Sequence, residues 1–366
     1  MYISHLSSDG FRNLNINKIE LSKGINILYG NNAQGKTNFL EAVYFCAFGR
    51  SLRAVSDKEL VGFEKSGGFI RAEIVRGSFL QTMDAYIEKQ GTGTKKSISI
   101  DHVPIKHMKD LFGHLLVVMF TPEDLRLIKS GPAERRRFMD MEICQISPIY
   151  YGDLREYHRA LKQRNILLKT LQKDKSQLDS LSVWDLQLAN YGCRIIKTRS
   201  EFIKKLNNIA KEIHSHITQG TENLEVIYSP NINKPENYVQ EMEKSHKRDI
   251  LQGSTSHGIH KDDINFVINN IPVRSFGSQG QQRTAALSAK LAEIEIIKQS
   301  TGESPVLCLD DVFSELDSTR QKFLLSHIMD LQTIITCTGI EDVLSGINGC
   351  KTINVVSGEL SYTTVP

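Results

Sequence analysis

Along the first third of the chain, apolar residues fall in short runs that alternate with polar ones. Ile16, Ile19 and Leu21 lead to Gly24, Ile25 to Leu28 is a short apolar run that closes at Gly30, and Phe69 to Ile74 alternates again. Successive side chains on a strand point to opposite faces, so this spacing predicts a β-rich segment from Met1 to about Phe120. Ser97 to Ile100 and Val103 to Ile105, turned at Asp101 and His102, predict a hairpin, and Leu115 to Phe120 a buried strand. From Ser147 to Thr218 the rhythm changes. Gly and Pro become rare, and Leu161, Leu168, Leu171, Leu178 and Leu181 recur at helical spacing, which predicts two or three long helices forming an arm. A polar link, Ser229 to Asn237, follows. Strands at Ile264 to Val267 and Val306 to Leu309 then alternate with helices around Thr284 to Lys298 and Ser318 to Asp330, the rhythm of a largely parallel α/β sheet.

Composition narrows the classes. A chain of 366 residues with 40% hydrophobic and 24% charged residues is an ordinary globular protein of more than one domain, which excludes disorder, collagen and a disulfide scaffold. A net charge of +3 excludes a polybasic protein, so any nucleic-acid surface is local. Residues 151–219 hold 13 Lys and Arg against 7 Asp and Glu; this excess is either a solvated helical surface or one that faces a polyanion. The six cysteines form no CxxC pair and read as reduced thiols. No leader pattern opens the chain and no apolar run approaches a spanning length, so a cytoplasmic protein is expected, with no membrane contact.

The strongest chemical signal is Gly30-Asn31-Asn32-Ala33-Gln34-Gly35-Lys36-Thr37, which matches GxxxxGK[ST] at every fixed position. The strand Ile25 to Leu28 feeds it, and an apolar-periodic helix, Thr37 to Phe45, follows. Glycines let the backbone fold into a nest of N–H donors, the helix N-terminus adds partial positive charge, and Lys36 reaches the β and γ phosphates of ATP. Thr37 is expected to hold Mg2+. A second carboxylate site stands at Val306-Leu307-Cys308-Leu309-Asp310-Asp311, four apolar strand residues and two acids at the carboxyl end. Asp310 is expected to bind magnesium through water, and Asp311 to orient or deprotonate the attacking water. Ser314-Glu315-Leu316-Asp317 follows, a loop of the kind found at ATP-binding dimer interfaces. Most of the chain separates Thr37 from Val306, so the nucleotide fold is expected to be split by an insertion, the helical arm.

A third element, Ser278-Gln279-Gly280-Gln281-Gln282-Arg283, looks like the signature motif of ABC-type ATPases, in which Ser-x-Gly-Gln caps a helix aimed at ATP held by the other subunit. P-loop, signature and acidic strand are all elements of ABC and SMC-like heads. The runs Phe276 to Glu293, Val306 to Asp317 and Phe120 to Asp140, with Phe11-Arg12-Asn13 and His257 to Asp263, resemble the RecF family of bacterial DNA replication and repair proteins over nearly the whole chain.

That resemblance implies an α/β, ABC/SMC-like P-loop ATPase head with an inserted helical arm: 1–146 as the P-loop lobe, 147–235 as the arm, and 236–366 as the part bearing the signature and acidic strand. It adds Arg12 and Asn13 to the nucleotide-binding residues, beside the P-loop and Ser278, Gln279, Gly280 and Gln281. It implies ATP-dependent homodimerisation, sequence-independent binding of gapped or duplex DNA, and weak DNA-stimulated ATPase activity. Partnership with RecR and RecO in loading RecA, support of stalled forks and a link to the SOS response come with it. The chain departs from the family at Gly258-Ile259-His260-Lys261-Asp262-Asp263, where members often have Pro and Arg at the second and fourth positions; lysine keeps the charge but loses the bidentate fork. Asp311 stands where ABC transporters carry Glu. The shorter side chain predicts slow hydrolysis, suited to a switch. No histidine closes the strand Thr333 to Thr338, leaving Thr336 or Thr338 in that place.

Two other classes fit less well. A transporter ATPase subunit is disfavoured by the wide gap between the two nucleotide motifs, the missing histidine and the basic arm. An SMC-like tether needs a far longer heptad insertion. Arg135, Arg136 and Arg137 point about 100° apart on a helix, so surface and lobe-contact salt bridges are favoured over a phosphate clamp. Trp184, Tyr150, Tyr151 and Tyr157 could stack on bases, but core packing is the favoured reading. His5, His107, His114 and His214 read as structural or solvated.

Overall fold

The computed structural model describes residues 1–339 and 349–362. They divide into two compact units: Met1–Asp124 with the residues from Ile297 on, and Leu125–Ile296.

The first unit holds two six-stranded sheets. One is antiparallel, in the order β2-β1-β4-β5-β6-β7, built from Leu14–Glu20 (β2), Tyr2–Phe11 (β1), Gly67–Arg76 (β4), Phe79–Gln90 (β5), Gly93–Ile100 (β6) and Val103–Pro104 (β7). Alternate residues of β4, among them Ile70, Ala72 and Ile74, are buried, as period two requires. The expected hairpin forms. Asp101 and His102 both have positive φ, 49° and 65°, the geometry whose twist matches the flanking strands. The other sheet runs β15-β14-β3-β13-β12-β8, from Glu359–Tyr362 (β15), Lys351–Val356 (β14), Ile25–Tyr29 (β3), Thr333–Cys337 (β13), Val306–Asp310 (β12) and Val117–Phe120 (β8); all pairs but β14 with β15 are parallel. Helix Lys36–Phe48 (α1) touches strands of both sheets and is apolar almost all round, since Phe39, Leu40, Val43, Phe45 and Phe48 are buried. Helix Ser318–Ile328 (α9) follows β12 and is capped by Asp317, which accepts from the Arg320 N–H.

The second unit contains Arg126–Lys129 (α2), Pro132–Ile146 (α3), Pro148–Leu171 (α4), Leu181–Ile217 (α5), Tyr238–Gln252 (α6), Val273–Phe276 (α7) and most of Gln279–Thr301 (α8). A three-stranded antiparallel sheet, β11-β10-β9, joins them, from Ile271–Pro272 (β11), Asp263–Ile268 (β10) and Leu224–Ser229 (β9). The arm is two long helices, α4 and α5.

The structure corrects several expectations. The strand around Ile264 to Val267 belongs to this antiparallel sheet, not to the parallel one; its burial alternates, whereas β12 is buried on both faces as a parallel strand should be. Helix α8 begins at Gln279 rather than Thr284, its polar first turn running from exposed Gln279 to buried Gln282 and capped by Ser278. Strand β9 and helix α6 border the polar link and were not expected; α6 buries one thin stripe, Tyr238, Met242, Ser245 and Asp249, beneath a charged surface. The unit boundaries fall at 124/125 and 296/297 instead of 146/147 and 235/236.

Buried ion pairs explain the wider second unit. Arg199 of α5 donates to Asp140 of α3 at 2.8 Å and to Asp262 at 2.7 Å, and Arg135 of α3 grips Asp263 with two bonds of 2.6 and 2.9 Å. Arg136 donates to the Asp262 carbonyl at 2.7 Å. These arginines therefore serve structure, as the helical spacing suggested. Tyr150 and Tyr157 are buried, and Trp184 packs on the cluster of Leu167, Leu168, Leu171 and Leu181.

Candidate nucleotide site

In the first unit β3 ends at Tyr29 and the P-loop turns directly into α1. The turn demands unusual backbone: Gly30 has φ 148°, Ala33 φ 63° and Gly35 φ 118°. A Cβ on Gly30 would collide with the Val355 carbonyl oxygen, so glycine is required there by both torsion and space. The loop is pinned from outside. Gln34 accepts from the Gly358 N–H at 2.8 Å through its carbonyl and from the Ser357 N–H at 2.7 Å through its side chain. Asn13 donates to the Gln34 carbonyl at 3.2 Å and accepts from Asn38 at 2.8 Å.

Lys36 lies beneath the loop, its ammonium donating to the carbonyls of Gly30 at 2.6 Å and Asn31 at 2.8 Å. Burial lowers its pKa, while the nearby Cys337, Asp311 and Asp310 act to raise it. Parallel pairing brings the distant strands β3, β13 and β12 side by side. Thr37 Oγ1 donates to Asp310 Oδ1 at 2.9 Å, joining the P-loop to the acidic strand. Thr336, at the end of β13, donates to the same Asp310 oxygen at 2.8 Å and accepts from the Asp311 N–H at 3.0 Å. Asp311 is exposed and has φ 52°, a left-handed turn that directs the chain away from the strand after its first acid.

Arg12 does not point freely into this cradle. Its guanidinium pairs with buried Glu41 of α1 at 2.9 Å and donates to the Glu59 carbonyl at 2.8 Å. Ser51 and Arg53 also bind Glu41. Burial alone would raise the Glu41 pKa, but the hydrogen bonds and charges of Arg12, Ser51 and Arg53 outweigh it and the net direction is down.

The signature lies in the second unit. Ser278 Oγ accepts from the Gln281 N–H at 3.2 Å and Gln281 Oε1 accepts from the Ser278 N–H at 2.9 Å, a reciprocal capping box. Ser278 and Gln279 are exposed, and so is the preceding Phe276, at 74%.

A family model for the RecF/RecN/SMC N-terminal domain matches residues 2–357. The DNA replication and repair protein RecF of Lachnospira eligens is 44% identical over 363 residues, covering 98% of this chain and 99% of its own. RecF of Lachnoclostridium phytofermentans is 46% identical over 345 residues, 94% of this chain and 95% of that protein. The chain belongs to the RecF family. A solved structure of the recombination mediator RecF-ATP in the RecFOR pathway matches with a TM-score of 0.91 at 36% identity, covering 99% of this chain and 98% of that one. The Smc head of Pyrococcus furiosus, with a TM-score of 0.56 at 14% identity, shares the fold, which is an ABC/SMC-like ATPase head. Among the described residues, no helix is long and apolar enough to cross a membrane.

For this RecF-family chain, the departures at Ile259 and Lys261 have a structural context. Ile259 is buried, Lys261 is exposed, and Arg199 donates to the Ile259 carbonyl at 2.8 Å and to the Asp262 carboxylate at 2.7 Å. The bracing residues Glu41, Ser51 and Arg53 escaped the sequence reading, because polar residues inside an apolar helix or loop carry no motif. Thr336 was legible only as the occupant of a position where other families carry histidine.

Proposed function

We propose that this chain is an ATP-switched, DNA-binding ATPase of recombinational repair and replication-fork maintenance. In this reading ATP closes a homodimer in which the P-loop of one copy and the signature of the other enclose the nucleotide. The contact that carries it is Thr37 Oγ1 on Asp310, which places a P-loop hydroxyl and a strand-end carboxylate 2.9 Å apart. Two hard oxygen donors suit Mg2+, which usually takes one or two protein ligands and completes its shell with water and phosphate. Thr37 and Asp310 would hold it. Bound there, it would neutralise phosphate charge.

The chain's own residues then divide the work. Gly30, Asn31, Asn32, Ala33, Gln34 and Gly35 supply backbone N–H groups, and Lys36 exchanges its two carbonyl contacts for phosphate oxygens. Asn13 holds the loop from the side through Gln34, and Arg12 braces α1 behind it through Glu41. Ser278, Gln279, Gly280 and Gln281 present a helix N-terminus to the γ-phosphate of the partner's ATP. Asp311 orients or deprotonates the attacking water, and its short side chain gives slow turnover that DNA stimulates. The exposed Phe276 beside the signature supports a surface that a second copy covers. Because the solved relative belongs to the RecFOR pathway, RecR and RecO are the proposed partners, acting in the cytoplasm on gapped or duplex DNA.

The test is DNA binding by wild type and Lys36→Ala, with and without ATP, over a salt series on gapped, duplex and single-stranded ligands of mixed sequence. ATP should tighten wild-type binding on gapped or duplex DNA, with an affinity that falls steeply with salt because Lys and Arg displace counterions from phosphate. Binding indifferent to ATP, or equal in Lys36→Ala, would sink the switch.

A further inference from the structure

Gln281, the last residue of the Ser-x-Gly-Gln signature, is held at both ends of its amide. Its Oε1 accepts from Ser278, and its Nε2 donates to Glu222 Oε1 at 2.9 Å. Glu222 lies in the turn between α5 and β9, and its other oxygen accepts from His214 Nε2 at 3.0 Å. His214, fully buried in the last turn of α5, meets Ser288 Oγ through Nδ1 at 3.3 Å. Ser288 is on α8, seven positions after Gln281 and so two turns along the same face. Ser288 Oγ also lies 2.8 Å from the Thr284 carbonyl, so the contact with His214 is held on the α8 backbone. His214 thus bridges Ser288 of α8 through one ring nitrogen and the Glu222 carboxylate through the other.

We propose that Glu222 and His214 are positioning residues for the signature: they clamp the start of α8 to the C-terminal end of the arm helix α5 and hold Gln281 in the orientation it presents to a partner's nucleotide. Gln281 and Ser288 give α8 two anchors on one face, which fixes its rotation as well as its place. An unanchored glutamine at an exposed helix start would sample several rotamers, and ordering it on nucleotide binding would cost entropy that the clamp removes beforehand. The same link joins the basic arm to the nucleotide-sensing motif through two side chains. Its functional consequence rests on the trans-signature dimer proposed above; the clamp itself does not.

Two readouts separate those levels. In nucleotide-free monomer, amide hydrogen exchange at Gln281 and Gln282 should quicken about tenfold in Glu222→Ala and in His214→Phe, with later turns of α8 and the P-loop unit unchanged. Equal protection in wild type and both variants overturns the clamp, whatever the dimer does. In ATP-driven dimerisation, Glu222→Ala and Gln281→Ala should each raise the dimer Kd about tenfold, and the double variant should be no worse than the poorer single, while monomer ATP affinity holds. Single effects that multiply in the double variant mean the residues act independently and also overturn it. If wild type fails to dimerise on ATP, the dimer reading falls and the exchange data still decide the clamp. Should Glu222→Ala fold poorly, Glu222→Gln, which keeps an acceptor for Gln281 but loses the charge facing His214, should show an intermediate exchange rate; a wild-type rate there would count against His214's part.

Discussion

Thr336 shows how much one hydroxyl can do in this site. It donates to the metal-binding candidate Asp310 and accepts from the backbone of Asp311, so it sets both acids with one oxygen. Thr336→Val keeps the shape of a buried position but leaves the Asp311 N–H without that acceptor. An unpaired polar group costs about 1–3 kcal/mol, so ATP turnover should fall roughly tenfold, with a higher magnesium requirement. Steady-state turnover across a magnesium series checks this; unchanged values on both axes would remove Thr336 as the brace. Lys36 obeys a related logic, since burial outweighs the nearby acids and lowers its pKa, and a phosphate can replace the two carbonyls it now meets.

Among the elements, the helices of the second unit are joined by buried polar contacts as well as apolar packing. Arg164 of α4 bridges Asp185 of α5 at 2.7 Å and Asp249 of α6 at 2.7 Å, all three fully buried. His260, in the turn Ile259–Lys261, ties α4 to the segment that follows α6. Its Nε2 donates to the Thr255 carbonyl at 3.1 Å, so its Nδ1 accepts from the Tyr157 hydroxyl at 2.9 Å and the ring is neutral. Burial chiefly, with the nearby Lys261, His158 and Arg136 charges, pushes its pKa down to about 4. The unfolded chain, whose histidine titrates near 6.5, then binds more protons than the folded one across that interval. His260 therefore leaves stability unchanged above about pH 6.5 and removes up to about 3 kcal/mol as pH falls towards 4. Urea unfolding of wild type and His260→Gln across this range should show the variant losing less stability on acidification; parallel profiles would refute the assignment.

For the whole molecule, the informative feature is that the P-loop and the signature belong to different compact units. A substitution at the signature should therefore spare nucleotide binding by the monomer. Ser278→Arg removes an N-cap worth about 1 kcal/mol and sets a bulky cation on an exposed helix start. Sedimentation with ATP should find monomer only, while ATP affinity stays near wild type. Loss of that affinity would mean the signature serves its own chain's nucleotide.

What the sequence alone determined is the local chemistry: the strand, glycine turn and helix of the P-loop, the two acids at the end of β12, and the serine cap of α8. Each is encoded within a dozen residues by torsion, periodicity and charge, which is why spacing exposes them. Tertiary structure decided the rest. The parallel sheet brought Thr37, Asp310 and Thr336 within hydrogen-bond reach across most of the chain, and the end of β1 in the antiparallel sheet set Arg12 against Glu41 of α1. The second unit extended past the expected arm because Arg135 and Arg199 find their acids far away in sequence. His214, read as structural or solvated, gained its part only through Glu222 and Gln281. Long-range pairing of polar groups leaves no period in the sequence, since desolvation and geometry select those partners only once the chain has folded.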